Sequence, residues 1–312
     1  MSIVIPKALK KGDTVALISA SGATPTERLQ PAIEAVEKLG FHVVVGETCR
    51  ARHGYLAGSD ALRAAELNAM FANPEIDGIF CIRGGYGATR ILPLLDLELI
   101  KNNPKVFVGY SDVTALHIVF NQHCNFVTYH TPMPSTEFIK DQMDDYTWDY
   151  FINSVTNTAW SDYLLENVVG EEMITLSPGT ATGKLTGGNL TLVAASLGTP
   201  YEIDLNGKIL FLEDIDENVQ RIDRMLTQLQ LSGKLDGLAG ILLGAWTDCG
   251  PMDTKNPENN LSLETVFDEI LAPLNIPILM NVTCGHVLPT MSLPLGKTVT
   301  VDTSNKTIRV IG

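Results

Sequence analysis

The chain has 312 residues and a formal net charge of −14, with 36 acidic side chains against 22 basic ones. This length exceeds the roughly 100–200 residues that one domain usually holds, so two domains are predicted. The acidic balance argues against sequence-independent binding to nucleic acid or anionic lipid, because both need clustered positive charge. We therefore expect neither a nucleic-acid partner nor a membrane partner.

Hydrophobic patterning indicates neither a membrane anchor nor an export signal. The chain has no apolar run of about 18 residues, and its start lacks a long apolar segment followed by small residues. The five cysteines are odd in number and lack C-x-x-C spacing, which is typical of free thiols in a reducing compartment rather than of disulfides or a zinc site. These features predict a soluble, cytoplasmic protein.

The first half of the chain alternates short β-branched runs with amphipathic helical patterns. Gly40 is placed to end the first helix, and Ser59 is placed to cap the second. The alternation is typical of a parallel sheet with helices on both faces, so the predicted fold class is α/β with a Rossmann- or flavodoxin-like N-terminal domain. Strands are predicted in TVALISA, FHVVVGE, IDGIFCIRGG, VFVGYSD and FVTYH, and helices in ERLQPAIEAVEKLG, SDALRAAELNAMFA and VTALHIVFNQH.

Three loops rich in glycine or serine follow strands of this predicted sheet. In open parallel sheets, ligands bind in the crevice beyond the carboxyl ends of the strands. We therefore expect these loops to converge at one edge of the sheet and to form a candidate site. Their sequences are SASGAT, RGGYGATR and GYSDVT.

The periodicity weakens between residues 135 and 180, which indicates a domain boundary, and we divide the chain into residues 1–165 and 166–312. The second part mixes strand and helix patterns and ends in a hairpin that turns at Ser304 and Asn305. It is predicted to be a smaller mixed α/β domain with antiparallel strands. Its strands are predicted in ILFLED, LAGILLGAW, PILMNVT and KTVTVDTSNKTIRVI, and its helices in DENVQRIDRMLTQLQLSG and SLETVFDEILAPL.

Ser111 lies between an apolar strand and a helix and has two interpretations. Serine is a favoured N-cap because its oxygen accepts a backbone N–H that the first helical turn leaves unpaired. It is also the nucleophile of serine hydrolases, where the N–H of the next residue, here Asp112, can stabilise an oxyanion at the helix start. Val113 stands where the second glycine of G-x-S-x-G would lie, so this motif alone does not decide between them.

The loop CIRGGYGAT, residues 81–89, is open to two interpretations as well. Its glycines could form a backbone cradle for an anion or provide an oxyanion donor from Gly85, or they could simply allow a tight turn with positive φ. The loop matches neither G-x-G-x-x-G nor G-x-x-x-x-G-K-[ST]. Nucleotide binding therefore has little support from this loop.

A carboxylate and a histidine also occur at predicted strand ends. Alternation along ILFLED puts Glu213 and Asp214 on opposite faces, so only one of them can face a given site. His286 follows an apolar strand in a Gly-His turn, where an imidazole is either solvated or catalytic. Ser111, Glu213 and His286 occur in that order, although three common residue types carry little weight alone. No cluster of histidines and carboxylates has helical metal-ligand spacing, so no metal site is predicted.

Five motifs taken together resemble those of the LD-carboxypeptidase family of serine peptidases. The resemblance extends in order over nearly the whole chain, from LKKGDTVALISASG to LPLGKTVTVD. It implies that Ser111 is the nucleophile, that His286 is the general base and that Glu213 orients the histidine. It also implies that the backbone N–H groups of Gly85 and Asp112 form the oxyanion hole. The motifs are RGGYGATR, GYSDVTAL, GKLTGGNL, FLEDIDE and CGHV.

The reaction that the resemblance implies is hydrolysis of an L,D-amide bond. Members of the family release terminal D-alanine from murein tetrapeptides in cell-wall recycling, without metal or cofactor, and are commonly homodimers. Arg83 and Arg90 are candidates for binding the terminal carboxylate, and Tyr86 is a candidate for packing against the substrate. For Arg90 the alternative is a surface charge with a covering aliphatic stem.

Two other functions stay open. One is that of a microcin-immunity peptidase, which cleaves an aminoacyl-nucleotide antibiotic and belongs to the same family. The other is that of a ligand-binding module without catalysis, which would use the glycine loop as an anion cradle. Replacement of Ser111 by alanine separates a hydrolase from a binding module.

Overall fold

The structure is a computed structural model that describes residues 2–140 and 143–311. The chain forms two compact units. The first unit extends to Trp160 and also includes Ser292–Gly296, while the second comprises Ser161–Met291 and the chain from Lys297 onward. The division predicted between residues 165 and 166 did not include this return of the chain to the first unit.

The strands and helices of the described residues are named here in chain order. The strands are β1 (Thr14–Ile18), β2 (His42–Val45), β3 (Gly78–Cys81), β4 (Val106–Gly109), β5 (Thr128–His130), β6 (Tyr163–Leu165), β7 (Ile174–Ser177), β8 (Thr180–Asn189), β9 (Lys208–Ile215), β10 (Gly240–Thr247), β11 (Ile278–Met280), β12 (Leu293–Leu295), β13 (Thr298–Asp302) and β14 (Thr307–Ile311). The helices are α1 (Thr26–Lys38), α2 (Asp60–Ala72), α3 (Ala88–Ile91), α4 (Leu97–Asn102), α5 (Thr114–Val119), α6 (Asp145–Thr156), α7 (Leu190–Ser196), α8 (Val219–Leu231) and α9 (Leu263–Ile270). Single 3₁₀ turns (Glu47–Cys49, Leu92–Leu94, Ser111–Val113, Pro257–Asn259, Ala272–Leu274) and a π turn (Phe120–Cys124) complete the list.

The first unit is built on a sheet with the strand order β12-β5-β4-β3-β1-β2. The strands from β2 to β5 are parallel to their neighbours, in the flavodoxin-like order 2-1-3-4-5. This confirms the predicted α/β class and the parallel N-terminal sheet. β3 and β4 are buried along their whole length, which explains why their sequences are apolar without alternation.

The chain order of this sheet reverses between β1 and β3. Ile18 at the end of β1 and Cys81 at the end of β3 pair in register, so both strands end at the same level. A reversal of this kind leaves a crevice at the carboxyl ends of the strands, which is where such sheets bind ligands. The loops after β1, after β3 and after the adjacent β4 therefore begin at this crevice.

Two predicted helix boundaries are confirmed. α1 ends at Lys38 and is followed by Gly40, whose φ of +93° is a left-handed conformation that glycine adopts without strain. Ser59 caps α2, because its side chain accepts a hydrogen bond from the N–H of Leu62 at 3.2 Å. These boundaries fix where each helix leaves the sheet.

The second unit is built on a mixed sheet with the order β6-β14-β13-β8-β9-β10-β11-β7. The central strands β8 to β11 are parallel to their neighbours, and the outer pairings are antiparallel. The prediction of a mixed domain with antiparallel strands is therefore confirmed. β13 and β14 form the terminal hairpin, with Asp302 paired to Thr307 around the predicted turn.

β12 is contributed by the segment that returns to the first unit. It pairs antiparallel with β5 at the edge of the sheet, with Leu293 opposite His130. Pro294 fits only at such an edge, because proline has no N–H for a further strand. Leu293 and Leu295 are buried, so this short strand completes the core at that edge.

Candidate active site

The three glycine- or serine-rich loops of the first unit converge at the crevice between β1 and β3. The N–H of Gly22 donates to the carbonyl of Gly84 at 3.1 Å, and the N–H of Ala88 donates to the carboxylate of Asp112 at 2.8 Å. A Cβ atom added at Gly84 would lie 2.9 Å from the Cβ of Ser111. The predicted convergence is confirmed by these contacts.

Ser111 lies at a sharp turn between β4 and the helical turn Ser111–Val113. Its φ is +66°, a left-handed conformation that serine adopts only under constraint. Tyr110, not Ser111, occupies the cap position of this turn, and no side-chain capping hydrogen bond is made there. The interpretation of Ser111 as a simple N-cap is therefore wrong. A strained serine on a strand-to-helix turn is the geometry in which α/β hydrolases expose their nucleophile.

Asp112, one predicted oxyanion donor, directly follows Ser111, and Gly85, the other, directly follows Gly84, where an added Cβ would lie 2.9 Å from the Cβ of Ser111. Gly85 has φ +116° and approaches the β1 loop so closely that an added Cβ would lie 3.2 Å from the Cα of Gly22. Asp112 is the second residue of the helical turn Ser111–Val113, where backbone N–H groups carry partial positive charge. The close approach to Gly22 leaves the backbone at Gly85 little room to move.

The side chain of Asp112 has a structural role of its own. It is buried, and its carboxylate binds the N–H of Ala88 at the start of α3. Burial raises the pKa of the Asp112 carboxyl, while the hydrogen bond from the Ala88 N–H opposes that rise. The glycine loop after β3 and the turn after β4 thus meet at one carboxylate.

Arg63 of α2 is a residue of this region that sequence reasoning missed. It is only 1% exposed, and its guanidinium donates to the carbonyls of Ala20 at 2.6 Å and Gly87 at 2.7 Å. It also pairs with Asp60. Arg63 therefore connects the loop after β1 to the glycine loop through these two hydrogen bonds. An arginine in an amphipathic helix gives no sequence signal that distinguishes this buried position from a solvated one.

Glu213 and His286 are brought together in the second unit. Glu213 lies on β9 and is completely buried, and its Oε2 is 2.6 Å from the Nδ1 of His286. The backbone N–H of His286 donates to the same oxygen at 3.3 Å. Gly285 permits this approach, because an added Cβ would lie 2.8 Å from that oxygen. The carboxylate favours a proton on Nδ1, so the lone pair of the neutral imidazole is on Nε2.

Asp214, the neighbour of Glu213 on β9, has different partners. Its carboxylate accepts hydrogen bonds from the side-chain amide of Asn189 at 2.7 Å and from the N–H and hydroxyl of Thr191, both at 2.9 Å. These contacts anchor the start of α7. The prediction that alternation separates the two acids is confirmed.

Two family models match the chain. They are the LD-carboxypeptidase N-terminal domain, over residues 15–131, and the LD-carboxypeptidase C-terminal domain, over residues 182–301. A probable murein peptide carboxypeptidase of Bacillus subtilis is 40% identical over 307 residues, which cover 97% of this chain and 92% of that protein. The chain belongs to the LD-carboxypeptidase family. The resemblance read from the five motifs is confirmed, and the protein is an enzyme of the carboxypeptidase class rather than a module without catalysis.

Two solved structures share this LD-carboxypeptidase fold over nearly their whole length. The muramoyltetrapeptide carboxypeptidase from Oxalobacter formigenes matches with a TM-score of 0.81 and 28% identity, covering 95% of this chain and 97% of that one. A mutant of the microcin C7 self-immunity protein MccF, in complex with adenosine monophosphate, matches with a TM-score of 0.89 and 26% identity, covering 99% and 98%.

The predicted substrate-binding residues of this LD-carboxypeptidase have distinct surroundings. Arg90 is paired with Asp60 through three hydrogen bonds, at 2.9 Å, 3.1 Å and 2.8 Å, so its charge is already compensated. Arg83 is half-buried and donates to backbone carbonyls. Tyr86 is 72% exposed and meets Tyr55 edge to face. Roles in substrate binding for these three residues stay predictions.

The predicted catalytic residues are divided between the units. Ser111, Gly85 and Asp112 belong to the first unit, and Glu213 and His286 belong to the second. Within residues 2–140 and 143–311, no group of three or more His, Cys, Asp or Glu side chains is arranged to hold a metal ion. Over the same ranges, none of the helices combines the length and apolar character needed to cross a bilayer.

Proposed function

We propose that the protein is a serine carboxypeptidase that hydrolyses an L,D-amide bond and releases terminal D-alanine from a murein tetrapeptide. The relatives named as murein peptide and muramoyltetrapeptide carboxypeptidases support this substrate. The observation that carries the serine mechanism is the positive φ of Ser111 at the turn after β4. The strained backbone conformation of Ser111 is explained if this turn must hold the Ser111 hydroxyl exposed for reaction.

In the proposed mechanism, Ser111, His286 and Glu213 act as a triad. The Oγ of Ser111 attacks the carbonyl carbon while the Nε2 of His286 takes its proton, and the Gly85 and Asp112 N–H groups bind the oxyanion. The C–N bond then breaks as His286 returns the proton to the leaving amine of D-alanine. Water attacks the acyl-enzyme with His286 again as the base, and Ser111 recovers its proton when the ester bond breaks.

The buried Glu213 supports this role for His286 because its charge stabilises the imidazolium that forms at each proton transfer. The short contact of 2.6 Å also holds the ring in one orientation. Both effects need the carboxylate to stay close to Nδ1, and the absence of a side chain at Gly285 allows that.

The test measures release of D-alanine from an L,D-linked muramyl tetrapeptide in the presence of a metal chelator. We expect Ser111→Ala to lower kcat by at least about 10³-fold. The exposed hairpin serine gives a matched control, Ser304→Ala, with unchanged turnover. A fluorophosphonate probe should label wild type at Ser111, as read by mass spectrometry. Full activity of Ser111→Ala would contradict the mechanism.

A second candidate function is cleavage of an aminoacyl-nucleotide, as in microcin immunity. It is favoured by the match to MccF, which was solved in complex with adenosine monophosphate. Comparing kcat/KM for the tetrapeptide and for an aminoacyl-nucleotide decides between the two functions, because both use the same serine. The function with the higher kcat/KM is retained.

Location and assembly are also part of the proposal. We expect the protein to act in the cytoplasm as a homodimer. Its five cysteines are all buried free thiols, which suits a reducing compartment. Light scattering of the purified protein should give twice the mass of one 33.9 kDa chain, and a monomer mass would contradict the dimer.

A further inference from the structure

Glu137 is a buried carboxylate in residues 131–137, the segment after β5 that we name the β5 extension. It is 6% exposed, and its Oε1 accepts a hydrogen bond from the hydroxyl of Tyr110 at 2.9 Å. Its Oε2 accepts from the N–H of Met133 at 2.9 Å and from the hydroxyl of Thr136. Hydrogen bonds to a charged group are roughly twice as strong as those between neutral groups. The contact with Glu137 is therefore a strong restraint on the side chain of Tyr110.

Tyr110 is the residue that precedes the proposed nucleophile. Its backbone is extended, and the next residue, Ser111, has the left-handed φ of +66°. The carbonyl of Tyr110 accepts the N–H of Val113 at 3.3 Å, which closes the turn. A left-handed backbone at a residue other than glycine costs energy and persists only where the surrounding structure fixes it. A restraint on Tyr110 is therefore a restraint on the strained turn that carries Ser111.

The β5 extension also holds the start of the glycine loop. Ser135 donates both its N–H and its hydroxyl to the carbonyl of Ile82, each at 2.9 Å. Ser135 and Ile82 are both buried, and Ile82 directly follows β3. The β5 extension thus contacts the glycine loop through Ser135 and the nucleophile turn through Glu137. One short segment fixes the two backbones from which the proposed nucleophile and one proposed oxyanion donor come.

We infer that Glu137 is a positioning residue, which acts through the hydroxyl of Tyr110 to hold Ser111 in its reactive conformation. This inference rests on the proposed function, because it requires Ser111 to be the nucleophile, and it adds a residue outside the proposed triad. Glu137 and Tyr110 are each 6% exposed, so their hydrogen bond is shielded from substrate. Loss of this bond should therefore lower kcat, which depends on the position of Ser111, and leave KM nearly unchanged.

The main variant is Tyr110→Phe, because it removes only the hydroxyl that binds Glu137. The matched control is Tyr129→Phe. This substitution removes another buried tyrosine hydroxyl of the first unit, which donates to the carbonyl of Thr158 at 3.2 Å. Thermal unfolding checks that every variant is folded.

Two measurements are made on each protein. One is kcat and KM for release of D-alanine from the muramyl tetrapeptide. The other is the second-order rate constant for labelling of Ser111 by a fluorophosphonate, which requires no peptide. For Tyr110→Phe, we expect kcat and the labelling rate to fall about tenfold or more with KM within about twofold, because small displacements of a reacting group are costly. Tyr129→Phe should match wild type in all three quantities.

A double variant tests whether Glu137 acts through Tyr110. Glu137→Met offers no carboxylate oxygen to the hydroxyl, so alone it should lower kcat by about the same factor as Tyr110→Phe. The two substitutions combined should lower kcat no further than either one, because both remove the same hydrogen bond. If Glu137→Met does not fold, Tyr110→Phe decides the inference alone, since it breaks that bond from the other side.

Four results would overturn the inference. The first is a Tyr110→Phe enzyme with the kcat and labelling rate of wild type. The second is an equal loss in Tyr129→Phe, which would show a general weakening of the fold. The third is a raised KM at unchanged kcat, which would mean that the pair binds substrate. The fourth is a double variant in which the separate losses multiply, because Glu137 and Tyr110 would then act independently.

Failure of the proposed function is recognised in wild type, before any variant is compared. If wild type is labelled at Ser111 but releases no D-alanine, the proposed substrate is wrong, and the labelling rates still test the role of Glu137. If wild type is neither labelled at Ser111 nor active on the peptide, Ser111 is not the nucleophile, and the inference fails with the proposed function.

Discussion

At the scale of single residues, Gly84 controls the space beside Ser111. A Cβ at this position would lie 2.9 Å from the Cβ and 3.0 Å from the Oγ of Ser111, so Gly84→Ala must displace the serine. Because a displacement of about 1 Å can cost about 10²-fold in rate, we expect kcat to fall by that factor while the protein remains folded. Steady-state release of D-alanine measures this loss.

The control for this substitution is Gly250→Ala, because a Cβ added there meets nothing within 4 Å and Gly250 has no positive φ. This variant should keep the turnover of wild type. A Gly84→Ala enzyme with wild-type kcat would contradict the view that the space left by Gly84 fixes the position of Ser111 for the reaction.

The sequence alone predicts only some of the side-chain and backbone positions at this site. Alternation along β9 was enough to separate Glu213 from Asp214, because strand geometry fixes which face each side chain takes. The left-handed backbone of Ser111 was not predictable, because it results from packing between loops that are distant in sequence. The buried position of Arg63 was not predictable either, since its helix pattern is the same for a solvated arginine.

At the scale of elements, Arg63 connects α2 to the loops after β1 and β3. Arg63→Met keeps most of the side-chain volume but leaves the carbonyls of Ala20 and Gly87 without their donor. An unsatisfied buried acceptor costs about 1–3 kcal/mol, so we expect the free energy of unfolding to fall by at least about 2 kcal/mol. Urea denaturation followed by circular dichroism measures this change.

The matched control for Arg63 is Arg309→Met, which removes a half-exposed arginine from its pair with Asp162. Exposed ion pairs contribute about 0–1 kcal/mol, so this variant should remain close to wild type. Equal stability of both methionine variants would contradict the view that Arg63 holds the loops together.

His117 of α5 connects the helix to the ends of β4 and β5. Its Nε2 is 2.8 Å from the carbonyl of Gly109, and its Nδ1 is 2.9 Å from the hydroxyl of Thr128. Since a carbonyl only accepts, the proton is on Nε2, and Nδ1 accepts from the hydroxyl. Complete burial lowers the pKa of His117 to about 4 from its usual 6.5. The fold therefore holds a neutral imidazole.

This histidine should make the fold sensitive to mild acid. Below about pH 6.5 the unfolded chain takes up a proton that the folded state does not accept until about pH 4, so stability is lost as pH falls through that range. Between these two pH values, this histidine lowers the free energy of unfolding by at most about 3 kcal/mol. Urea unfolding at pH 7.0, 5.5 and 4.5 should show it, and His117→Gln should show a flatter dependence. An identical pH dependence in both proteins would contradict this assignment.

Among the elements, β12 shows why sequence could not supply the complete fold. A Leu-Pro-Leu segment is too short for a periodicity, and proline argues against a strand unless it lies at an edge. The order of the eight-stranded sheet was equally inaccessible, because its outer strands pair antiparallel with partners far away in sequence. By contrast, the five parallel strands of the first unit were predictable, since each is a short run rich in β-branched or aromatic residues that a helix separates from the next strand.

At the scale of the whole molecule, the connectivity predicts that both units unfold together. The first unit needs β12, which is attached to it only through the second unit. If Ser161–Met291 unfolded alone, docking β12 would require closing that long loop, at a cost of about 4 kcal/mol. Leu293 and Leu295 would then leave the core. Unfolding of the second unit should therefore destabilise the first.

The three tryptophans make this coupling measurable. Trp246→Phe leaves Trp148 and Trp160, both in the first unit, as the only indoles, so fluorescence then reports that unit, while far-UV circular dichroism reports the whole chain. We expect the two urea transitions to have the same midpoint, since loss of β12 links them. Comparing the circular dichroism midpoints of wild type and Trp246→Phe shows whether the substitution itself changes stability. A fluorescence midpoint clearly above that of circular dichroism would mean that the first unit stays folded without its edge strand.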